Sequence, residues 1–215
     1  SSDLLGYLRD AEKTLSGENV VIRCIGSRKE LSEEIQEQIK KTEKFFREVF
    51  RMQKVNVDEL KRLAPSLHAG DRILLSGTVY TARDAAHKRI FEMLDRGEEL
   101  PFTLEGAVIY YAGPTQAKEG MAIGSCGPTP SSRMDGFTPR LLDLGLAAMI
   151  GKGERSEDVC RSIQDNSAVY LCAVGGAGAL MARHVIENTV IAFPELGCES
   201  IKKLTVSDMP LTVAI

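Results

Sequence analysis

The stretch Arg72-Ile73-Leu74-Leu75-Ser76-Gly77-Thr78-Val79-Tyr80, continued by Thr81-Ala82-Arg83-Asp84-Ala85-Ala86-His87, sets the frame for the chain. Its first part is aliphatic and β-branched and reads as a strand interrupted by Gly77. Thr81 offers a hydroxyl to cap a helix, in which Ala85, Ala86, Ile90, Phe91 and Leu94 recur at helical spacing. A strand that passes through a short polar loop into a helix is the repeating unit of α/β proteins.

The unit recurs on both sides. Upstream, from Val55, a strand gives way to a short helix entered through Val57 and Leu60, and Ala69-Gly70-Asp71 turns the chain. Downstream, after breaks at Arg96-Gly97 and Pro101, Gly106-Ala107-Val108-Ile109-Tyr110-Tyr111-Ala112-Gly113-Pro114 is a buried strand running into a loop. Met121-Ala122-Ile123 reads as a short strand. Thr138-Pro139 opens a helix with Leu141, Leu142 and Leu144, and Ala147-Ala148-Met149-Ile150 is a strand entering Gly151-Lys152-Gly153. Ser156, followed by Glu157 and Asp158, starts another helix with acidic residues at the positive end of its dipole. The apolar strand Ser167-Ala168-Val169-Tyr170-Leu171-Cys172-Ala173-Val174 ends at Gly175-Gly176-Ala177-Gly178-Ala179-Leu180 and passes into a helix. Val190-Ile191-Ala192-Phe193 and Leu211-Thr212-Val213-Ala214-Ile215 supply two last strands around a helix carrying Ile201 and Leu204.

Residues 1–53 differ in texture and read as a mainly helical N-terminal extension of unknown role, with residues 54–215 as the α/β domain. Leu4, Leu5, Leu8, Ala11 and Leu15 fit a short amphipathic helix, and Val20-Val21-Ile22-Arg23-Cys24-Ile25 fits a strand. Ser27 and Glu30 resemble a capping box opening a longer helix through Leu31, Ile35, Ile39, Phe46, Val49 and Phe50.

Composition excludes several function classes. With 215 residues, 43% hydrophobic and a formal net charge of -3, the chain has an ordinary core and no electrostatic reason to bind nucleic acid. Cys24, Cys126, Cys160, Cys172 and Cys198 are widely spread without a C-x-x-C pair, which argues against a disulfide framework and against a self-contained zinc or iron-sulfur site. Reduced thiols and the lack of a long apolar run make a cytoplasmic protein without a membrane span the expectation.

The candidate chemistry lies in three loops. In each a strand ends, a glycine or hydroxyl follows, and a cation sits nearby: Arg83 beside Asp84 and His87, Arg133 in the loop Gly124-Ser125-Cys126-Gly127-Pro128-Thr129-Pro130-Ser131-Ser132-Arg133-Met134-Asp135, and Lys152 between two glycines. Strand ends of an α/β sheet gather on one rim, so these cations are placed to converge on a small dianion. His87 falls one helical turn beyond Arg83, and Cys126 reads as a packed thiol rather than a nucleophile because no paired histidine signature accompanies it. Gly175-Gly176-Ala177-Gly178 lacks the G-x-G-x-x-G spacing of a dinucleotide site and reads as a tight turn.

Five motifs carry a resemblance. Residues 76–87, Gly127-Pro128-Thr129 with Ser132-Arg133-Met134, Phe137-Thr138-Pro139, Ile150-Gly151-Lys152-Gly153, and Gly175-Gly176-Ala177-Gly178-Ala179-Leu180 occur in the order found in the β subunit, or C-terminal domain, of class I fumarases and L-tartrate dehydratases. The chain resembles that family over about residues 55–215. The resemblance implies a swivelling β/β/α domain with a mixed sheet that closes over a 4Fe-4S cluster supplied by a separate α subunit or domain. The cluster would act as a Lewis acid on the substrate. It further implies a dicarboxylate substrate and a dimer of heterodimers. By motif, Arg83, Arg133 and Lys152 look like the cations that bind carboxylates, and Thr129 like a substrate-binding hydroxyl at the reacting carbon. A threonine needs an activating neighbour to move a proton near neutral pH, and Asp84, His87, Lys152 or a partner residue fits that description. The expected activity is reversible hydration of fumarate to L-malate by a β component inactive alone. The alternatives are dehydration of L-tartrate or another hydroxy-dicarboxylate, or a non-catalytic anion-binding assembly module.

Overall fold

A computed structural model describes residues 14–16, 19–21, 52–117 and 119–215. The chain divides into two units, Ser1–Arg51 and Met52–Ile215. In the first, β1 (Thr14–Ser16) pairs antiparallel with β2 (Asn19–Val21). Leu15 therefore lies in a strand, not in the helix its spacing suggested. The remainder of that helix and the helix expected from Ser27 to Phe50 lie outside the described residues.

The second unit is built on a mixed seven-stranded sheet in the order β3-β4-β5-β6-β7-β9-β8. Its strands are β3 (Gln53–Asn56), β4 (Arg72–Thr81), β5 (Val108–Tyr110), β6 (Ala148–Gly151), β7 (Val169–Cys172), β8 (Val185–Ala192) and β9 (Ile201–Val213). Strands β3 to β7 run parallel, whereas β9 is antiparallel to β7, β8 and β4. Because β9 pairs with both β7 and β4, the pairings β4-β5-β6-β7-β9 close into a ring.

Side-chain alternation explains the layers. Val108, Tyr110, Ala148, Ile150, Val169 and Leu171 enter one core cluster, while Ile109, Tyr111, Met149 and Tyr170 enter the other. Short strands buried on both faces need the continuous apolar runs seen in β5 to β7. The second cluster is completed by Ala86 and Ile90 of α2 (Asp84–Arg96), Leu141 and Leu142 of α3 (Thr138–Asp143), and Val159 and Ile163 of α4 (Glu157–Asp165). Helix α1 (Leu60–Leu63) and α5 (Gly178–Arg183) pack on the first cluster through Leu60, Met181 and Ala182. Among the described residues no helix is long and apolar enough to cross a membrane.

Four local expectations change. The helix expected around Ile201 and Leu204 is the long strand β9, and the penultimate strand begins at Val185 instead of Val190. Met121-Ala122-Ile123 is not a strand. Thr81 does not cap α2: its hydroxyl donates to the Ser200 carbonyl at 3.2 Å and accepts from the Lys202 N–H at 3.1 Å, stitching β4 to β9. Gly77 does interrupt β4, with φ +124° beside a register shift at Leu75/Gly77, and a Cβ there would meet Val57 Cβ at 3.0 Å.

Candidate functional site

The carboxyl ends of parallel strands β4, β5 and β6 lie side by side, since Thr81 pairs with Tyr110 and Tyr110 with Ile150. Each strand delivers one of the loops read from the sequence onto this rim, and the middle loop links them.

Residues 124–135 are tied down from below. The buried Tyr110 hydroxyl donates to the Cys126 carbonyl at 2.6 Å, Cys126 N–H donates to the Gly178 carbonyl at 3.0 Å, and Thr129 N–H donates to the Tyr111 carbonyl at 2.7 Å. The parallel bridge between Pro130 and Lys152 is made by the next residue, Ser131, whose N–H donates to the Lys152 carbonyl at 2.9 Å, so a proline without an N–H is tolerated at 130. Lys152 N–H in turn donates to Ser131 Oγ at 3.1 Å. Gly151 is required here, because a Cβ would collide with Ser131 Oγ and lie 3.0 Å from the Tyr111 ring. Gly178 is required likewise, since its Cβ would strike Ser125 Oγ and sit 3.0 Å from Gly127 N.

The cations are arranged unequally. Arg133 Nε donates to Asp84 Oδ1 at 3.0 Å, and its Nη2 lies 2.9 Å from Asp84 Oδ2, joining the middle loop to the start of α2. Arg83 Nη2 lies 3.3 Å from Glu199 Oε1. Lys152 makes no ion pair among the described residues, and its stem passes Gly175, whose Cβ would be in ordinary contact with Lys152 Cδ at 3.6 Å. Thr129 is 8% exposed and its hydroxyl has no hydrogen-bond partner among the described residues. Arg83, Asp84, Thr129, Arg133 and Lys152 thus lie on loops that leave the same rim, with two of the three cations held in ion pairs.

His87 is placed differently. It is fully buried between Tyr111 and Phe137, with ring centroids 5.6 and 5.4 Å away. Its Nδ1 lies 2.8 Å from the Arg83 carbonyl, which only accepts, so Nδ1 carries the proton and Nε2 is left buried without a partner among the described residues. Burial pushes its pKa down to about 4, so the ring is neutral near pH 7. It holds the backbone of Arg83 from inside the core. Cys126 is also fully buried, and burial pushes its thiol up to about 12.

Two groups escaped the sequence reading. Arg155, whose side chain has no exposed surface, donates from Nε to Asp135 Oδ1 at 2.7 Å and from Nη2 to Thr138 Oγ1 at 2.6 Å, while Asp135 Oδ2 accepts from Ser156 N–H at 2.9 Å. Its guanidinium carbon lies 5.5 and 5.1 Å from the Tyr111 and Tyr170 ring centroids, and the Tyr170 hydroxyl is 2.9 Å from Ser131 Oγ. The second is Glu199, which besides Arg83 reaches Ala85 N–H through Oε2 at 3.0 Å. Arg155 follows Gly151-Lys152-Gly153 closely enough to have been flagged with it. Glu199 had no local signal.

Among the described residues no group of three or more His, Cys, Asp or Glu side chains is arranged to hold a metal ion. Cys126, Cys160, Cys172 and Cys198 are free thiols. These residues do not fit as ligands of an iron-sulfur cluster.

Comparison with known proteins places the chain in a family. The chain is 38% identical over 161 residues to fumarate hydratase 2 of Leishmania major, a match covering 74% of this chain and 28% of that protein. It is 38% identical over 146 residues to the aerobic class I fumarate hydratase of Escherichia coli, covering 67% of this chain and 27% of the relative. It is 39% identical over 162 residues to a Methanocaldococcus jannaschii protein provisionally named L(+)-tartrate dehydratase subunit beta, covering 72% of this chain and 83% of that one. The chain therefore spans little more than a quarter of the length of these fumarate hydratases. The family model described as Fumarase C-terminus matches residues 26–215, reaching back into the segment for which the sequence had offered no resemblance. With that match covering most of its length, the chain belongs to the Fumarase C-terminus family.

Proposed function

We propose that this chain is the β component of an iron-sulfur hydro-lyase that reversibly hydrates fumarate to L-malate. The observation that carries the reading is the gathering of Arg83, Arg133, Lys152 and the Thr129 hydroxyl, without a hydrogen-bond partner among the described residues, on one rim of a Fumarase C-terminus domain. A dicarboxylate needs cations at both ends, and guanidinium groups fix orientation as well as charge. The two arginines and Lys152 hold the carboxylates. Thr129 faces the reacting carbon, where hydration adds a hydroxyl to one alkene carbon and a proton to its neighbour. When a substrate carboxylate takes Arg133, Asp84 is released beside it as a proton acceptor, with Lys152 or a partner residue as the other group able to activate Thr129. His87 acts indirectly, by holding the Arg83 backbone.

The cluster, a 4Fe-4S group, belongs on this reading to an α component, and the domain swivels to close over it. The α and β components together form the active enzyme, arranged as a dimer of heterodimers in the cytoplasm. A second reading, dehydration of L-tartrate, draws on the 39% identity to the archaeal protein named as a tartrate dehydratase beta subunit. A substrate panel on the complex with its α component, assembled anaerobically, separates them. Faster turnover of fumarate supports the first, faster turnover of tartrate the second, and binding of dicarboxylates with no turnover leaves an anion-binding module.

A further inference from the structure

Helix α2 begins without a side-chain cap of its own: Arg83 occupies the cap position and makes no side-chain hydrogen bond to the first turn. The missing acceptor arrives from far along the chain. Glu199 Oε2 takes the Ala85 N–H at 3.0 Å while Oε1 lies 3.3 Å from Arg83 Nη2. One carboxylate thus fixes both the start of the helix and the direction of the guanidinium beside it. Arg83 also lies against Gly113, where a Cβ would come 2.6 Å from Arg83 Nη1 and 3.1 Å from Cδ. Arg83 Nε is buried without a hydrogen-bond partner among the described residues, and the ion pair with Glu199 is made through Nη2 alone.

Glu199 is itself held by an unusual turn. Residues Pro194–Glu199 form a 3-10 segment kinked at Gly197, with φ +59° and ψ -114°. Lys202, 8% exposed, points its ammonium back into this turn, donating to the Gly197 carbonyl at 3.0 Å and to Ser200 Oγ at 2.5 Å. The Thr81 contacts with Ser200 and Lys202 pin the same turn to β4, whose end leads to Arg83.

We infer that Glu199 is a positioning residue of the site, which aims the Arg83 guanidinium at a substrate carboxylate from a turn locked by Lys202. The inference rests on the reading of Arg83 as a substrate-binding cation. Glu199 acts through Arg83 and touches no substrate.

A double-mutant cycle in the complex with the α component tests it. Glu199→Gln keeps an oxygen for the Ala85 N–H and loses the ion pair. It lowers kcat/KM for the dicarboxylate about tenfold in the otherwise native complex and less than about twofold in an Arg83→Gln background, because residues acting as a unit are not additive. Arg83→Gln alone costs roughly 100-fold, the scale of a misplaced substrate. Glu199→Asp, which keeps the charge one methylene short, is run through the same cycle and gives the same pattern, so poor folding of one variant leaves the other to decide. A tenfold loss that persists in the Arg83→Gln background, or a Glu199→Gln complex within twofold of the parent, overturns the inference. An inactive parent complex, or an Arg83→Gln complex with undiminished kcat/KM, overturns the reading of the site and the inference with it.

Discussion

Arg133 and Asp135 stand two residues apart, and each belongs to an arginine–aspartate pair of the same chemistry in a different medium. The Arg133–Asp84 pair lies on the rim with side chains 48% and 28% exposed, whereas the Arg155–Asp135 pair lies beneath it at 0% and 16%. In water-accessible surroundings such a pair is worth roughly 0–1 kcal/mol, so its partners can be exchanged for a ligand at little cost to the fold. A buried pair is stabilised by its own hydrogen bonds, and removing one member strands a charge. The comparison teaches a division of labour: the buried pair fixes the turn at 131–135, and on the proposed function the exposed pair presents an arginine that a carboxylate can claim.

The largest effect should come from breaking the lower pair. Arg155→Ala leaves Asp135 without its cation and takes the support from between Tyr111 and Tyr170, lowering the unfolding free energy by about 3–5 kcal/mol in urea denaturation. A loss below about 1 kcal/mol would erase the contrast between the two pairs. Beside this scaffold sits His87, whose folded pKa of about 4 lies below its ordinary 6.5. As pH falls, the unfolded chain takes up this proton first, so the histidine's contribution is fully present above pH 6.5 and is lost between about 6.5 and 4. The loss amounts to roughly 3 kcal/mol. Unfolding curves across that window should be steeper in pH for the native chain than for His87→Gln, and parallel curves would count against a buried neutral ring.

Breaking the upper pair should hardly touch stability. Asp84→Asn is expected to shift the unfolding free energy by less than about 1 kcal/mol, read by the same denaturation. A larger shift would make the rim pair part of the scaffold. The smallest perturbation is chemical: the exposed Cys198 should be alkylated by iodoacetamide at pH 8 well before Cys126, whose burial keeps it protonated. Peptide mapping that found Cys126 modified first would contradict the packing of the middle loop.

Much of the architecture was legible because short buried strands are written as apolar runs bounded by glycine, as in β5, β6 and β7. Strand β9 was not, for a physical reason. Ile201 and Leu204 are three apart, as on a helix, and the alternation that should betray a strand changes parity between Val206 and Met209. That change occurs at Asp208, which has φ +48° and donates its N–H to Ser76 Oγ at 2.9 Å. Tertiary pairing with β4 and β8, invisible in a local window, decides the matter. The loops that carry Arg83, Thr129, Arg133 and Lys152 were legible from their glycines and cations. Glu199, the acidic partner of Arg83, and Arg155, the partner of Asp135, were not, since Glu199 and Ala85 are 114 residues apart and Arg155 and Asp135 are 20 apart.

The division of labour is tested most directly by Arg133→Ala in the complex with the proposed α component, with turnover of fumarate, the proposed substrate, and urea unfolding measured on the same preparation. The expected result is a fall in kcat/KM of about 100-fold or more, the scale of a lost charge-assisted contact in a closed site, with stability changed by less than about 1 kcal/mol. Near-normal turnover of fumarate by the Arg133→Ala complex would contradict it.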